Sequence, residues 1–149
     1  VIRRAKVADV KAIHKLVNEY ARRQEMLPRS LNELYENIRD FFVYEEGSEV
    51  GGACAIHILW EDLAEIKSLA VAKRLQNKGV GRALVMRCLK EAKSLGIKRV
   101  FALTYRPEFF HKLGFSDIDK SALPQKIWGD CLRCPKFPEC DEHAVIIKL

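Results

Sequence analysis

The hydrophobic pattern changes period once between Leu63 and Leu95, and the rest of the chain is arranged about that change. From Leu63 to Val71 the run reads as a strand. Glu65, Lys67, Leu69 and Val71 should share one face, because successive strand side chains alternate. From Val80 the spacing becomes three and four. Val80, Leu84, Cys88, Ala92 and Leu95 form a helical stripe, with Ala83 and Leu89 beside it. Upstream, Val1 to Arg4 reads as a first strand, and Val10, Ile13, Leu16, Val17, Tyr20 and Ala21 mark a helix over about Asp9 to Gln24. His14 borders that stripe as a boundary residue. Ser30 and Glu33 form a capping box that opens a second helix, with Leu31, Leu34 and Ile38 on its buried side.

Phe41 to Glu45 and Val50 to Leu59 read as a hairpin around Glu46-Gly47-Ser48. Gly51 and Gly52 inside the second strand suggest a bulge or a close approach by another segment. After the central helix, Gly96 supplies a stop. Val100 to Tyr105 is an apolar strand, Pro107 opens a short helix ended by Gly114, and Phe115 to Ile118 and Ala144 to Leu149 supply the last strands. The expected order is β-α-α-β-β-β-α-β-α-β with one further strand. This is an α+β class, with a mixed central β-sheet flanked by helices. No repeat, low-complexity tract or dividing linker is visible, so residues 1–149 read as a single domain with a Cys-rich loop at about 120–143.

The turn between the central strand and helix carries the first chemical signal. In Gln76-Asn77-Lys78-Gly79-Val80-Gly81-Arg82 the glycines leave backbone N–H groups bare at a helix start. Those orphan donors and the positive end of the helix dipole favour a bound phosphate, and Lys78 and Arg82 add charge. The spacing fits neither Gly-x4-Gly-Lys-Ser/Thr nor Gly-x-Gly-x-x-Gly. It resembles the Gln/Arg-x-x-Gly-x-Gly/Ala signature of the GNAT superfamily of acyl-CoA N-acyltransferases. Some thirty residues on, Phe109-Phe110-His111-Lys112-Leu113-Gly114-Phe115 resembles that superfamily's aromatic-x-Lys/Arg-x-Gly-Phe segment.

The resemblance implies a GNAT-like fold with acetyl-CoA as cosubstrate. Its pyrophosphate would lie on residues 76–82 and its pantetheine along Leu69, Ala70 and Val71. Phe110 would also border the cofactor; it stands where many members place a tyrosine acid, which leaves Tyr105 or solvent to protonate the thiolate. Acyl transfer to an amine also needs a base, and Glu65, in an otherwise apolar strand, is the candidate, with a salt bridge to a neighbour such as Lys67 as its alternative role.

Leu27-Pro-Arg-Ser-Leu-Asn-Glu-Leu34, Ala64-Glu-Ile-Lys-Ser-Leu-Ala-Val71 and Phe101-Ala-Leu-Thr104 resemble the acetyltransferase portion of N-acetylglutamate synthases. That likeness implies transfer to the α-amino group of L-glutamate, the first step of arginine biosynthesis. Arg29 and Lys67 are suited to the acceptor's carboxylates. Other amine acceptors (another amino acid, a polyamine, a protein N-terminus) remain open, as does a non-catalytic acyl-CoA sensor.

Composition adds bounds. The 48% hydrophobic and 31% charged content reads as globular, and no apolar run approaches a membrane span. A net charge of +6 suits a polyanionic ligand, but the charges are spread evenly, which argues against nucleic acid. No secretory pattern follows the basic N-terminus, and an odd cysteine count suits a reducing, cytoplasmic setting. A homodimer is compatible with the sequence but not specified by it. Cys54 and Cys88 sit in apolar patterns as small core residues. Cys131, Cys134, Cys140 and His143 have the spacing Cys-x2-Cys-x5-Cys-x2-His, which suits a structural zinc, reduced loop-packing cysteines, or redox pairing. A metal there would brace the loop, since thioester aminolysis does not require a catalytic zinc.

Overall fold

The computed structural model describes residues 1–23, 26, 28–123 and 142–149. Its elements follow the expected order: β1 (Ile2–Arg4), α1 (Val10–Arg22), α2 (Leu31–Glu36), β2 (Phe41–Glu46), β3 (Glu49–Trp60), β4 (Leu63–Val71), α3 (Val80–Ser94), β5 (Arg99–Thr104), α4 (Pro107–His111), β6 (Ser116–Asp117) and β7 (His143–Lys148). The strands form one mixed seven-stranded sheet in the order β1-β2-β3-β4-β5-β7-β6. Among the described strands only β4 and β5 pair in parallel, with α3 as the crossover that such a connection needs.

Two apolar layers hold helices on opposite faces. On one face Leu84, Val85, Cys88, Leu89 and Ala92 of α3 pack with Phe42, Cys54, Ile56, Ala64 and Ile66 of the sheet. On the other, Val10, Ile13, Leu16 and Val17 of α1 and Leu34 of α2 pack with Phe41, Val43, Ala53, Ala55 and Ala70. The stripe expected on α3 is shifted: Val85 is buried, while Ala83 and Leu95 are exposed. Leu95 is the C-cap residue, already outside the last packed turn, and Gly96 follows with a φ of 86°. The Ser30–Glu33 capping box is formed, with Glu33 N donating to Ser30 Oγ at 3.1 Å. Of the residues expected on the inner side of α2, only Leu34 is buried. The helix ends at Glu36 and so has room for one apolar anchor; Leu31 lies outward and Ile38 falls in the following 3₁₀ turn.

The glycines of β3 let the helix layer approach. The extra residue in the β2/β3 register falls at Gly51, so a bulge and a close approach coincide there. A Cβ on Gly51 would overlap Leu75 Cδ1, and one on Gly52 would lie 3.1 Å from Leu84 Cδ1 and 3.3 Å from Val80 Cγ1. Both contacts seat the start of α3 and the turn before it.

At the sheet's first edge Arg3 forks between two carboxylates, 2.8 Å and 3.0 Å from the Asp9 oxygens and 3.2 Å from Glu45. Asp9 is buried and also accepts from the Lys6 backbone N–H at 2.7 Å. The Arg3 guanidinium holds the Asp9 carboxyl below its ordinary range, more than burial raises it. A group so depressed stabilises the fold above its unfolded value near 4 and loses that contribution as pH falls through the folded value. Asp9→Asn should therefore destabilise by about 2–4 kcal/mol at neutral pH, because it leaves Arg3 with one partner fewer. In urea titrations across pH, the gap from wild type should narrow on acidification below about pH 4.

Candidate active site

The sheet opens where β4 leaves β5. Their pairing covers only Leu63–Glu65 with Arg99–Phe101, although β4 runs on to Val71 and β5 to Thr104. The far edge of β5 is taken by β7 as far as the Thr104–His143 pair. Beyond Glu65, therefore, the edge of β4 that faces β5 has no strand partner among the described residues. A wedge with an open strand edge accepts an extended ligand by main-chain hydrogen bonding, as an added strand would. Leu69, Ala70 and Val71 lie along it.

Within this wedge β4 carries a bulge. Ala55 pairs with Lys67 and Ala53 with Ala70, so three steps on β4 match two on β3; Ser68 absorbs the difference with a φ of 55°. The bulge corrects the expectation that Glu65, Lys67, Leu69 and Val71 share a face. Ala64 and Ile66 lie in the α3-side layer, and so do Leu69 and Val71 after the bulge. Glu65 and Lys67 point to the α1 side, opposite His57 and Ala55. Period-two counting fails at one residue, and every side chain past it changes face.

The bulged strand runs into the expected turn. Lys73–Leu75 is a 3₁₀ turn, Asn77 and Gly79 take φ of 63° and 83°, and α3 starts at Val80. Gly79 is the N-cap and offers no side chain to the first-turn N–H groups. Those of Val80, Gly81 and Arg82 are thus orphan donors of the kind that bind anions. Lys78 and Arg82 are exposed beside them, whereas Arg74 is paired with Glu49 at 3.3 Å. Gln76 turns inward: its amide donates to Tyr20 Oη at 2.7 Å, and Tyr20 Oη donates to the Val71 carbonyl at 2.8 Å. The side chain braces the turn against the strand end and α1. Tyr20 was legible only as part of a core stripe; its phenol is the part that sequence spacing could not assign.

Phe110, expected at the cofactor, is buried, with its ring 5.1 Å from those of both Phe109 and Phe115. Phe109 is the ring at the turn, lying 3.5 Å from where a Cβ on Gly81 would be. A Cβ at position 81 would rest on that ring in ordinary van der Waals contact, in keeping with a signature that admits Gly or Ala there.

On the α1 side, Glu65 is 2% exposed. Arg29 precedes α2 with its side chain 10% exposed and a nitrogen 3.6 Å from Glu33. Its backbone is clamped by Asn18 of α1, whose amide donates to the Arg29 carbonyl at 3.1 Å and accepts from the Arg29 N–H at 3.3 Å. Lys67 is half-buried. Cys131, Cys134 and Cys140 lie outside the described residues; His143 is an exposed first residue of β7. Among the described residues no three His, Cys, Asp or Glu side chains are grouped to hold a metal. Cys54 and Cys88 are free and buried in the α3-side layer.

A wedge, a bulged strand and an uncapped basic helix start together suit an elongated, phosphate-bearing ligand. The sequence matches the Acetyltransferase (GNAT) family over residues 8–115, and the chain belongs to that family, whose members transfer an acetyl group from acetyl-CoA to an amine. It is 43% identical, over 97% of its length and 94% of the relative's, to an uncharacterized N-acetyltransferase of Chlorobaculum tepidum. It is 38% identical, over 89% of this chain and 78% of the relative, to the amino-acid acetyltransferase of Mycobacterium tuberculosis. The fold superposes with a TM-score of 0.90 and 27% identity on N-acetylglutamate synthase from Neisseria gonorrhoeae, solved with coenzyme A and N-acetyl-glutamate; all of this chain is covered, but 35% of that one. No described helix is long and apolar enough to cross a membrane.

Tyr20→Phe should cost about 1–2 kcal/mol in chemical denaturation, since the Val71 carbonyl and the Gln76 amide both lose their hydrogen bond to the phenol. It should also weaken acetyl-CoA binding by calorimetry, because the turn is then tied to the strand end by a single 3.5 Å contact from Gln76 to Val71.

Proposed function

We propose that the chain acetylates the α-amino group of an amino acid, with L-glutamate as the first candidate. The observation that carries this reading is the buried Glu65 carboxylate beside the open edge of β4, on the α1 side of the sheet. That layer also clamps the segment bearing Arg29, while the basic turn and α3 lie across the sheet. The division suits an acceptor bound on one face and a nucleotide-bearing donor on the other. The kinship with amino-acid acetyltransferases supports the acceptor class.

In this reading residues 76–82 hold the pyrophosphate of acetyl-CoA, and the backbone of Leu69, Ala70 and Val71 holds the pantetheine arm. A main-chain N–H near the bulge meets the oxyanion that develops on the thioester carbonyl. Glu65 takes the ammonium proton of the acceptor, since only the neutral amine attacks. Arg29 and Lys67 meet its carboxylates; a guanidinium fork suits one of them in bidentate fashion.

Mass spectrometry of products from acetyl-CoA and a panel of glutamate, other amino acids and polyamines tests this directly. N-acetylglutamate should dominate. A different major product reassigns the acceptor, and binding of acetyl-CoA without turnover favours a sensor. Glu65→Gln should lower kcat by about 10²–10³-fold with acetyl-CoA affinity unchanged. Arg29→Ala should raise KM for glutamate by about 10–100-fold, the scale of a lost charge-assisted hydrogen bond. An unchanged KM removes Arg29 from the acceptor site.

A further inference from the structure

A base as buried as Glu65 has to pass its proton on before the next turnover, and the sheet places a second titratable group directly across from it. His57 of β3 is the register partner of Glu65, and partners in an antiparallel pair project from the same face with Cβ atoms about 4.5–5.5 Å apart. The imidazole is not loose. Its Nδ1 lies 2.7 Å from Asp40 Oδ2, in the 3₁₀ turn that leads into β2. An ionised carboxylate only accepts, so Nδ1 donates to Asp40 and Nε2 is the ring nitrogen left to exchange a proton. Unlike Glu65, this pair reaches water, with side chains 32% exposed at His57 and 27% at Asp40. The other charged group on that face of the ladder is Lys67, one same-face pair along from Glu65; the same-face neighbour on β3 is Ala55.

We propose that His57, held by Asp40, is the relay and positioning residue for Glu65, carrying the amine's proton from the buried carboxylate to solvent. The inference rests on Glu65 acting as the base. The steps balance without any added reagent. Glu65 takes a proton from the acceptor nitrogen and becomes a carboxylic acid. Its O–H bond then breaks as the Nε2 lone pair of His57 forms a new N–H bond, which regenerates the carboxylate. The imidazolium charge is opposed by Asp40 until water removes the Nε2 proton, and the ring returns to its starting tautomer. Among the described residues, Glu65 is the buried carboxylate on a strand, and His57 and Asp40 lead from it to an exposed edge.

The test compares wild type with Glu65→Gln, His57→Ala, His57→Gln and Asp40→Asn, using acetyl-CoA and L-glutamate or whichever amine of the panel gives product. His57→Ala should lower kcat about tenfold to a hundredfold while the acetyl-CoA Kd stays constant, and added imidazole should restore part of that kcat. His57→Gln keeps a donor for Asp40 but cannot carry a proton, so it should fold as wild type, lose a similar factor in kcat and flatten the pH profile. Asp40→Asn should show a smaller loss of kcat in the same direction. Wild-type kcat and pH profile in His57→Gln, or a loss in His57→Ala that imidazole does not relieve, overturns the relay alone. An inactive wild type, or full activity in Glu65→Gln, overturns the acetyl-transfer reading and the relay with it.

Discussion

The site depends on one extra residue. Ser68, held at a φ of 55°, inserts into β4 against β3 and shifts the register between the Ala55–Lys67 and Ala53–Ala70 pairs. A non-glycine residue in the left-handed region costs on the order of 1 kcal/mol, so the surroundings must hold it there. Two consequences follow from that strain. The bulge lies in the part of β4 that has parted from β5, where its backbone groups are available to a guest. It also rotates the strand by one side-chain position, so that Glu65 and Lys67 face the α1 layer and Leu69 and Val71 the α3 layer. A regular strand would place all four on one face and crowd donor and acceptor chemistry together.

The turn that follows is held in place by absences and by one phenol. Gly51 and Gly52 carry no side chains, so Leu75, Val80 and Leu84 can rest on the β3 backbone. That contact fixes the start of α3 relative to the strand edge. Tyr20 then ties the Val71 carbonyl to Gln76 from the opposite layer. The uncapped N–H groups of Val80, Gly81 and Arg82 are thereby positioned by packing from both faces of the sheet.

Most elements were legible because their signals are local. The capping box at Ser30, the stop at Gly96, the Pro107 helix start and the two glycines of β3 each state their role within a few residues. What was not legible has a common cause: it depends on something distant. The face swap at Ser68 arises from register against β3, which no period within β4 reveals. Phe110 and Phe109 look interchangeable in sequence, and only the position of Gly81 across the wedge decides which ring borders the turn. Gln76 belongs to the recognisable signature, yet its amide is claimed by Tyr20 from α1. His57 carried no signal at all, since an isolated histidine in an apolar strand becomes notable only once Glu65 is known to stand opposite.

Burial of Glu65 is the least economical feature of the sheet, and it restricts what the residue can be doing. A carboxylate removed from water is costly unless polar or charged groups meet it. Ala64 and Ile66, on either side of it in the chain, are apolar and face the other layer. The polar groups of the central sheet are instead concentrated on the Glu65 face: His57 opposite, Asp40 behind His57, and Lys67 one pair along. The α3 face of the same strands carries Cys54, Ile56, Ala64 and Ile66. That asymmetry gives two adjacent strands one polar face and one packing face. The polar face is the one turned away from α3 and its uncapped N-terminus.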